Sequence, residues 1–188
     1  MDAVERAAID ACITGDLSQF DVLYTKHVSA IYSYLYRRTL HRQTAEDLTS
    51  ATFLKALDKI RTYRSERSPF IAWLYAIARN TLTDYFRTNH PTADIADILG
   101  LSGEDDASAG AAHAVDLQRI RTALHGLTAL QRDVVLLRLW DGLSHAEIAQ
   151  IVGKSEANCK VIFSRTLASL RTELGAASLL LFFLPPLR

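Results

Sequence analysis

Ser144-His-Ala-Glu-Ile-Ala-Gln-Ile-Val152, then Gly153-Lys154, then Ser155-Glu-Ala-Asn-Cys-Lys-Val-Ile-Phe-Ser-Arg165 is the stretch on which the fold turns. Ser144 and Glu147 have the spacing of a capping box: a hydroxyl for a free backbone N–H, and a carboxylate three residues on that reaches back. The short helix they start runs into Gly153, which can take positive φ and end it. Ser155 can cap a second helix at once. Ala149 is small, as close crossing of two helices requires, and Ile148, Val152 and Cys159 supply apolar faces. This is the spacing of a helix-turn-helix, whose second helix enters the DNA major groove. Its polar residues are Ser155, Glu156, Asn158, Lys160 and Arg165. Asn can pair with adenine, Glu can accept from cytosine, and Lys or Arg can reach guanine or phosphate. Two packed helices joined by an ordinary turn would show much the same pattern. On either reading Cys159 is a small buried hydrophobe.

Working outward, the chain reads as all-α. Glycine and proline are sparse within two blocks, and no alternating β-type runs stand out. Thr44-Ala-Glu-Asp47 and Thr128-Ala-Leu-Gln131 also look like capping boxes, and Ser68-Pro69 looks like a cap with proline at the first helical position. Helices are expected over 2–14, 17–40, 44–61, 69–87, 115–125, 128–140, 144–152 and 155–174. Between the blocks lies a segment rich in Gly, Ala, Ser and Asp that has little to bury and reads as a flexible linker. The expected organisation is one helical domain over 1–90, a linker over 91–114, a second helical domain over 115–175 and an apolar tail over 176–188.

The charges follow the same division. The 188 residues hold 21 basic and 21 acidic side chains, and a net charge of zero taken alone argues against a nucleic-acid partner. But residues 54–90 carry seven basic and three acidic groups, a net +4, and 117–175 carry eight and five, a net +3. The joint 92–116 has six acidic residues and no Lys or Arg. Two basic blocks thus flank an acidic strap. No stretch of about 20 apolar residues is present, so no membrane span is expected. Asp2 and Glu5 near the N-terminus do not resemble a secretory signal. Cys12 and Cys159 form no CxxC pair, and the histidines form no HExxH or Cys/His cluster, so neither a metal nor another cofactor is expected. A cytoplasmic protein is the simplest reading. There is no nucleophile–base arrangement and no phosphate-cradling glycine loop, so no catalytic residue is assigned and the chain does not read as an enzyme.

The first block adds a second candidate surface. From Arg61 to Arg87, basic residues interleave with Tyr63, Phe70, Trp73, Tyr75, Tyr85 and Phe86. Cations that track phosphates beside rings that stack on unpaired bases suit single-stranded nucleic acid. Ile71, Leu74, Ile77, Ala78, Leu82 and Tyr85 have helical spacing and read as core, and Trp73 could equally be a packing anchor.

Taken together, the blocks resemble a known pair. Thr44-Ala-Glu-Asp-Leu-Thr-Ser-Ala-Thr-Phe-Leu-Lys-Ala-Leu57 is similar to the polymerase-binding helix of sigma region two. Ala72-Trp-Leu-Tyr-Ala-Ile-Ala-Arg-Asn80 is similar to the promoter-melting helix of that region. Leu127-Thr-Ala-Leu-Gln-Arg-Asp-Val-Val-Leu-Leu-Arg-Leu139 with Gly142-Leu-Ser-His-Ala-Glu-Ile-Ala149 is similar to sigma region four. The order matches the small, extracytoplasmic-function (ECF) class of bacterial sigma factors. The resemblance implies core RNA polymerase, promoter DNA and an anti-sigma factor as partners. It implies that Glu46, Asp47, Phe53 and Leu54 dock on the polymerase. It implies that the loop 63–70, with Tyr63, Arg64, Arg67 and Phe70, captures a flipped base of the −10 element. Trp73, Arg79, Asn80 and Arg87 would support strand opening, and Ser155, Glu156, Asn158, Lys160 and Arg165 would read the −35 duplex. The chain departs from the pattern at Ile162, where the family has Arg, at Leu167, a position often basic, and at Lys154, where the family usually has an apolar residue; the first two imply a less basic duplex face.

The main alternative is a stand-alone helix-turn-helix regulator, which leaves the first block without a joint purpose. The tail, Ser178-Leu-Leu-Leu-Phe-Phe-Leu-Pro-Pro-Leu187, is too short to span a bilayer. It is expected to fold back onto its own domain, with Val161, Ile162, Phe163 and Leu167 as landing points, or to dock on the first block or an anti-sigma partner, or to attach to a membrane surface, for which it lacks a basic face.

Overall fold

The structure is a computed structural model that describes residues 2–39, 41–66, 68–89, 123 and 126–183, with only the backbone described at 89 and 175–183. All elements among the described residues are helical. The chain divides into two compact units, Met1–Pro91 and Thr92–Arg188. The expected linker over 91–114 lies outside the described residues. So does the helix expected over 115–125, apart from Ala123, which is helical and buried.

The first unit packs four helices. Helix α1 (Ala3–Thr14) begins where the Asp2 carboxylate accepts from the Glu5 N–H, and ends at Gly15 with φ of 117°. A 3-10 turn leads into α2 (Phe20–Thr39), then α3 (Arg42–Lys59) and α4 (Phe70–Asn89). The start of α3 corrects the sequence reading. His41 is the cap, its Nδ1 accepting from the Thr44 N–H at 3.2 Å, so the helix starts two residues before Thr44. The imidazole replaces the hydroxyl as acceptor, and the apparent Thr44–Asp47 box falls inside the first turn. Leu23, Ile31 and Leu35 of α2, Leu48 and Ala56 of α3, and Leu74, Ala78 and Leu82 of α4 are all at most 5% exposed. Each large aliphatic among them contributes about 1.5–3 kcal/mol by leaving water. Ala56 and Ala78, fully buried, let the helix backbones approach. Ile71 and Tyr85, expected in the core, are half-buried.

The second unit holds α5 (Ala129–Leu139), α6 (His145–Val152) and α7 (Glu156–Phe183). Both expected capping boxes form, Thr128 with Gln131 and Ser144 with Glu147. The core gathers Ala123, Leu127, Val135 and Leu136 against Leu170 and Leu174 of α7, with Phe163 and Leu167 packed beside them. These last two, half-buried, are among the landing points expected for the tail. Helix α7 also outruns the expected end at 174 and continues to Phe183. A single glycine costs a helix about 1 kcal/mol, and the Ala and Leu residues that follow Gly175 are strong helix formers. Where the tail side chains lie is outside the described residues. Among the described residues no helix is long and apolar enough to cross a membrane.

Candidate nucleic-acid interface

The loop between α3 and α4 is built on an aromatic cluster. Tyr63 and Phe70 are each 1% exposed, with ring centroids 5.3 Å apart at 90°. Trp73 packs on both, 5.3 Å from Tyr63 and 5.5 Å from Phe70. The Tyr63 hydroxyl donates to the Ser68 carbonyl at 2.7 Å and pins the loop shut across its base. Burial, with Glu5 and Glu66 nearby, pushes the Tyr63 phenol up to about 12, so it remains a donor at any physiological pH.

These positions correct the sequence reading of Tyr63 and Phe70. Neither ring is presented to solvent, so in this conformation neither can stack on a base. They frame the loop, whose surface among the described residues is made by exposed Arg64, Ser65, Glu66 and Pro69 and half-buried Ser68. The Arg64 guanidinium donates to the carbonyls of Arg61 at 2.9 Å and Tyr63 at 2.8 Å. Arg67 lies outside the described residues.

Behind the cluster is a support the sequence reading missed. The His27 ring lies 5.6 Å from Phe70, and His27 Nε2 lies 2.8 Å from Glu5 Oε1, placed for its N–H to donate to the carboxylate. Lys26 Nζ donates to Glu5 at 2.7 Å and to Asp2 at 2.6 Å. Glu5 and His27 are both buried. Burial holds the His27 pKa below its ordinary value, the Glu5 hydrogen bond opposing it. Burial alone would raise Glu5, but hydrogen bonds from Lys26 and His27 outweigh it and lower the pKa. No local signal marks this pair, because its partners are 22 residues apart.

On α4, Trp73, Asn80 and Arg87 recur every seven residues and so lie along one side of the helix, drifting about 20° per step. Trp73 is half-buried, Asn80 and Arg87 are exposed, and Arg87 donates to Asp84 at 3.1 Å. Arg79 is half-buried. The stripe places one half-buried indole, one amide and one guanidinium in a row.

On α3, Asp47 and Leu54 are also seven residues apart and share a face. Both are exposed, Leu54 at 63%. Glu46 is half-exposed and accepts from Arg42 Nε at 2.8 Å. Phe53 does not belong to this face. It is 4% exposed and meets the rings of Tyr24 at 4.8 Å and Phe20 at 6.4 Å. Phe53, expected to dock with them, packs in the unit: one step along a helix turns a side chain by about 100°, here from the outer face into the core.

The helix-turn-helix forms as its spacing predicts. Gly153 ends α6 with φ of 67°, its N–H and that of Lys154 both donating to the Ala149 carbonyl. The Ser155 hydroxyl accepts from the Asn158 N–H at 3.2 Å. Cys159, Thr166 and Leu170 turn inward, each at most 1% exposed. Ser155, Glu156, Asn158, Lys160 and Arg165 are all exposed. Lys160 pairs with Glu156 at 2.7 Å, and that hydrogen bond lowers the Glu156 pKa. Ile162 is half-buried. It lies three residues after Cys159 and four before Thr166, on their side of the helix. The apolar departure at Ile162 therefore serves packing more than it removes charge from the outer face. Cys12 and Cys159 are both buried, which raises their thiol pKa values and keeps them unreactive.

Residues 23–92 match the family described as Sigma-70 region 2, and residues 117–170 match Sigma-70, region 4. The ECF RNA polymerase sigma factor BldN of Streptomyces coelicolor is 34% identical over 177 residues, covering 90% of this chain and 64% of BldN. This chain therefore spans just under two thirds of that relative's length. The ECF RNA polymerase sigma factor SigM of Bacillus subtilis is 30% identical over 146 residues, covering 77% of this chain and 88% of SigM. Among solved structures, the sigma factor RpoE of Bartonella quintana, in complex with the anti-sigma factor NepR, superposes with a TM-score of 0.64 at 26% identity. That match covers 84% of this chain and 98% of RpoE. Two family regions in sequence, each falling on one of the two helical units, place the chain in the sigma-70 family of RNA polymerase sigma factors, in its ECF class.

Proposed function

We propose that the chain binds core RNA polymerase and directs initiation at specific promoters, the first unit docking on polymerase and opening the −10 element, the second reading the −35 duplex. The observation that carries this is the distribution of exposed surface over two separately packed units. The first unit bears an acidic-apolar face (Asp47, Leu54) and a Trp73–Asn80–Arg87 stripe. The second presents a recognition helix on which Ser155, Glu156, Asn158, Lys160 and Arg165 are exposed. Duplex and single-strand readers, each weak alone, gain effective concentration when one chain joins them.

The roles differ in part from those first expected. Asp47 and Leu54 make the polymerase contact, with half-exposed Glu46 at the edge of their face, and Phe53 holds their helix in place. Arg64, Arg67, Asn80 and Arg87 hold the separated strand, with the edge of Trp73 at its fork. Tyr63 and Phe70 set the shape of the loop. Asn158, Lys160 and Arg165 meet the −35 duplex. The protein works where the polymerase works, in the cytoplasm. RpoE is seen with an anti-sigma factor, and a regulator of that kind is proposed here too.

The test is co-elution with sigma-free core polymerase on a sizing column. The wild-type chain is expected to move with the polymerase, and Asp47→Arg to elute separately while keeping its helical spectrum. A chain that never co-elutes but shifts duplex DNA unaided would instead be a stand-alone regulator.

A further inference from the structure

We infer that Val161 is a specificity-determining residue of the recognition helix, reading the C5-methyl group of one thymine in the −35 duplex. The inference rests on the −35 reading proposed above and names a contact within it. Val161 is 45% exposed, one of the few large hydrophobic side chains so open among the described residues. Its position is fixed by geometry. It is nine residues from Leu170, about half a revolution at 3.6 residues per turn. Leu170 is 1% exposed and packed in the unit's core, so Val161 points directly away from that core.

The residues around it make a defined surface. Ala157 and Asn158 precede it by four and three positions, and Ser164 and Arg165 follow by three and four, so all four are its neighbours on the helix. All four are exposed. The Ser164 hydroxyl donates to the Val161 carbonyl at 3.1 Å and is thus occupied by the helix itself. What faces outward is a small apolar patch, Ala157 and Val161, with Asn158 and Arg165 on one flank and Lys160 on the other. In the major groove the apolar feature that distinguishes one base is the thymine methyl, while the other edges offer donors and acceptors. Valine has neither. Its χ1 is nearly fixed in a helix, so its two methyl groups meet the groove with little rotamer entropy to lose. Asn158 beside it suits an adenine, and Arg165 a guanine or a phosphate.

The test uses holoenzyme assembled from core polymerase and the full chain. A duplex library randomised across the −35 segment is selected for binding. Each thymine of the enriched sequence is then replaced by deoxyuridine, which removes the methyl and nothing else. One replacement is expected to weaken wild-type binding about fourfold, the effect of one buried methyl. At that position Val161→Ala should bind thymine and uracil duplexes equally, and 5-methylcytosine should bind wild type better than cytosine. Because the comparison is a ratio within each protein, a change in folding does not mimic it. The inference is overturned if every uracil duplex binds wild type as its thymine parent does, if Val161→Ala keeps the full ratio, or if the enriched site contains no thymine. Failure of the library to enrich at all would overturn the −35 reading itself.

Discussion

Replacing Tyr63 separates a core ring from a base-stacking ring. Tyr63→Ala deletes a side chain that is 1% exposed and wedged against Phe70 and Trp73, both with centroids within 5.5 Å. Truncating a buried aromatic costs about 3–5 kcal/mol, and losing the hydroxyl donated to Ser68 adds about 1 kcal/mol. That is a large part of the roughly 5–15 kcal/mol that keeps a domain folded. In a unit of 91 residues, each kcal/mol lowers Tm by about 4–8 °C, so the first unit should melt more than about 16 °C early. Tyr63→Phe keeps the ring and loses only the 2.7 Å bond to the Ser68 carbonyl. It should cost about 1 kcal/mol, or about 4–8 °C. It should slow promoter opening, because the loop loses its tie, while polymerase affinity stays as it was. The assays are thermal melting of the full chain by circular dichroism, and permanganate reactivity of the promoter for opening. A Tyr63→Ala protein that melts like wild type yet fails to open the promoter would refute the reasoning and return the ring to the role of base stacker.

On the docking face, Asp47→Arg should weaken core polymerase binding at least tenfold with an unchanged melt, whereas Phe53→Ala, truncating a buried aromatic at about 3–5 kcal/mol, should lower the melt by more than about 12 °C. Equal melting of the two variants would contradict their placement. Gly153→Ala meets no atom within 4 Å, so its cost is only that of holding alanine at φ of 67°, about 1–2 kcal/mol, read as earlier unfolding of the second unit. The first unit should also lose stability in acid. Burial lowers the His27 pKa, so the unfolded chain takes up that proton first and stability falls as pH drops below about 6.5. Glu5, lowered in the fold from 4.5, adds a further loss below that value. Urea titrations from pH 7.5 to 4 should show both arms, and His27→Gln should flatten the upper one. A flat profile in wild type would mean the pair is not held as described.

What the sequence made legible was local. The Thr128–Gln131 and Ser144–Glu147 boxes and the turn at Gly153 each involve residues within a few positions of one another, and all formed as expected. The Asp47–Leu54 face follows from heptad spacing, which also shows that Phe53 cannot share it. The start of α3 was misread because Thr44 and Asp47 imitate a capping box, while the actual acceptor is an imidazole, an uncommon cap. The burial of Tyr63 and Phe70 is not legible in the sequence for a different reason. Aromatic and basic residues in alternation look the same whether the rings face bases or a core. Their burial, with Trp73 packed on both and His27 against Phe70, turns these rings inward. The residues around Ile162 were read as lost charge until the direction of α7 showed which of them faces outward.

The most direct test of the central claim is transcription in vitro from a random promoter library by sigma-free core polymerase, with and without this chain. With the chain, transcripts should arise from templates that share two upstream elements at fixed spacing. Changing Arg87 to Ala should cut their yield more than their initial binding. Transcription no greater than that of core polymerase alone, over a range of salt, would contradict it.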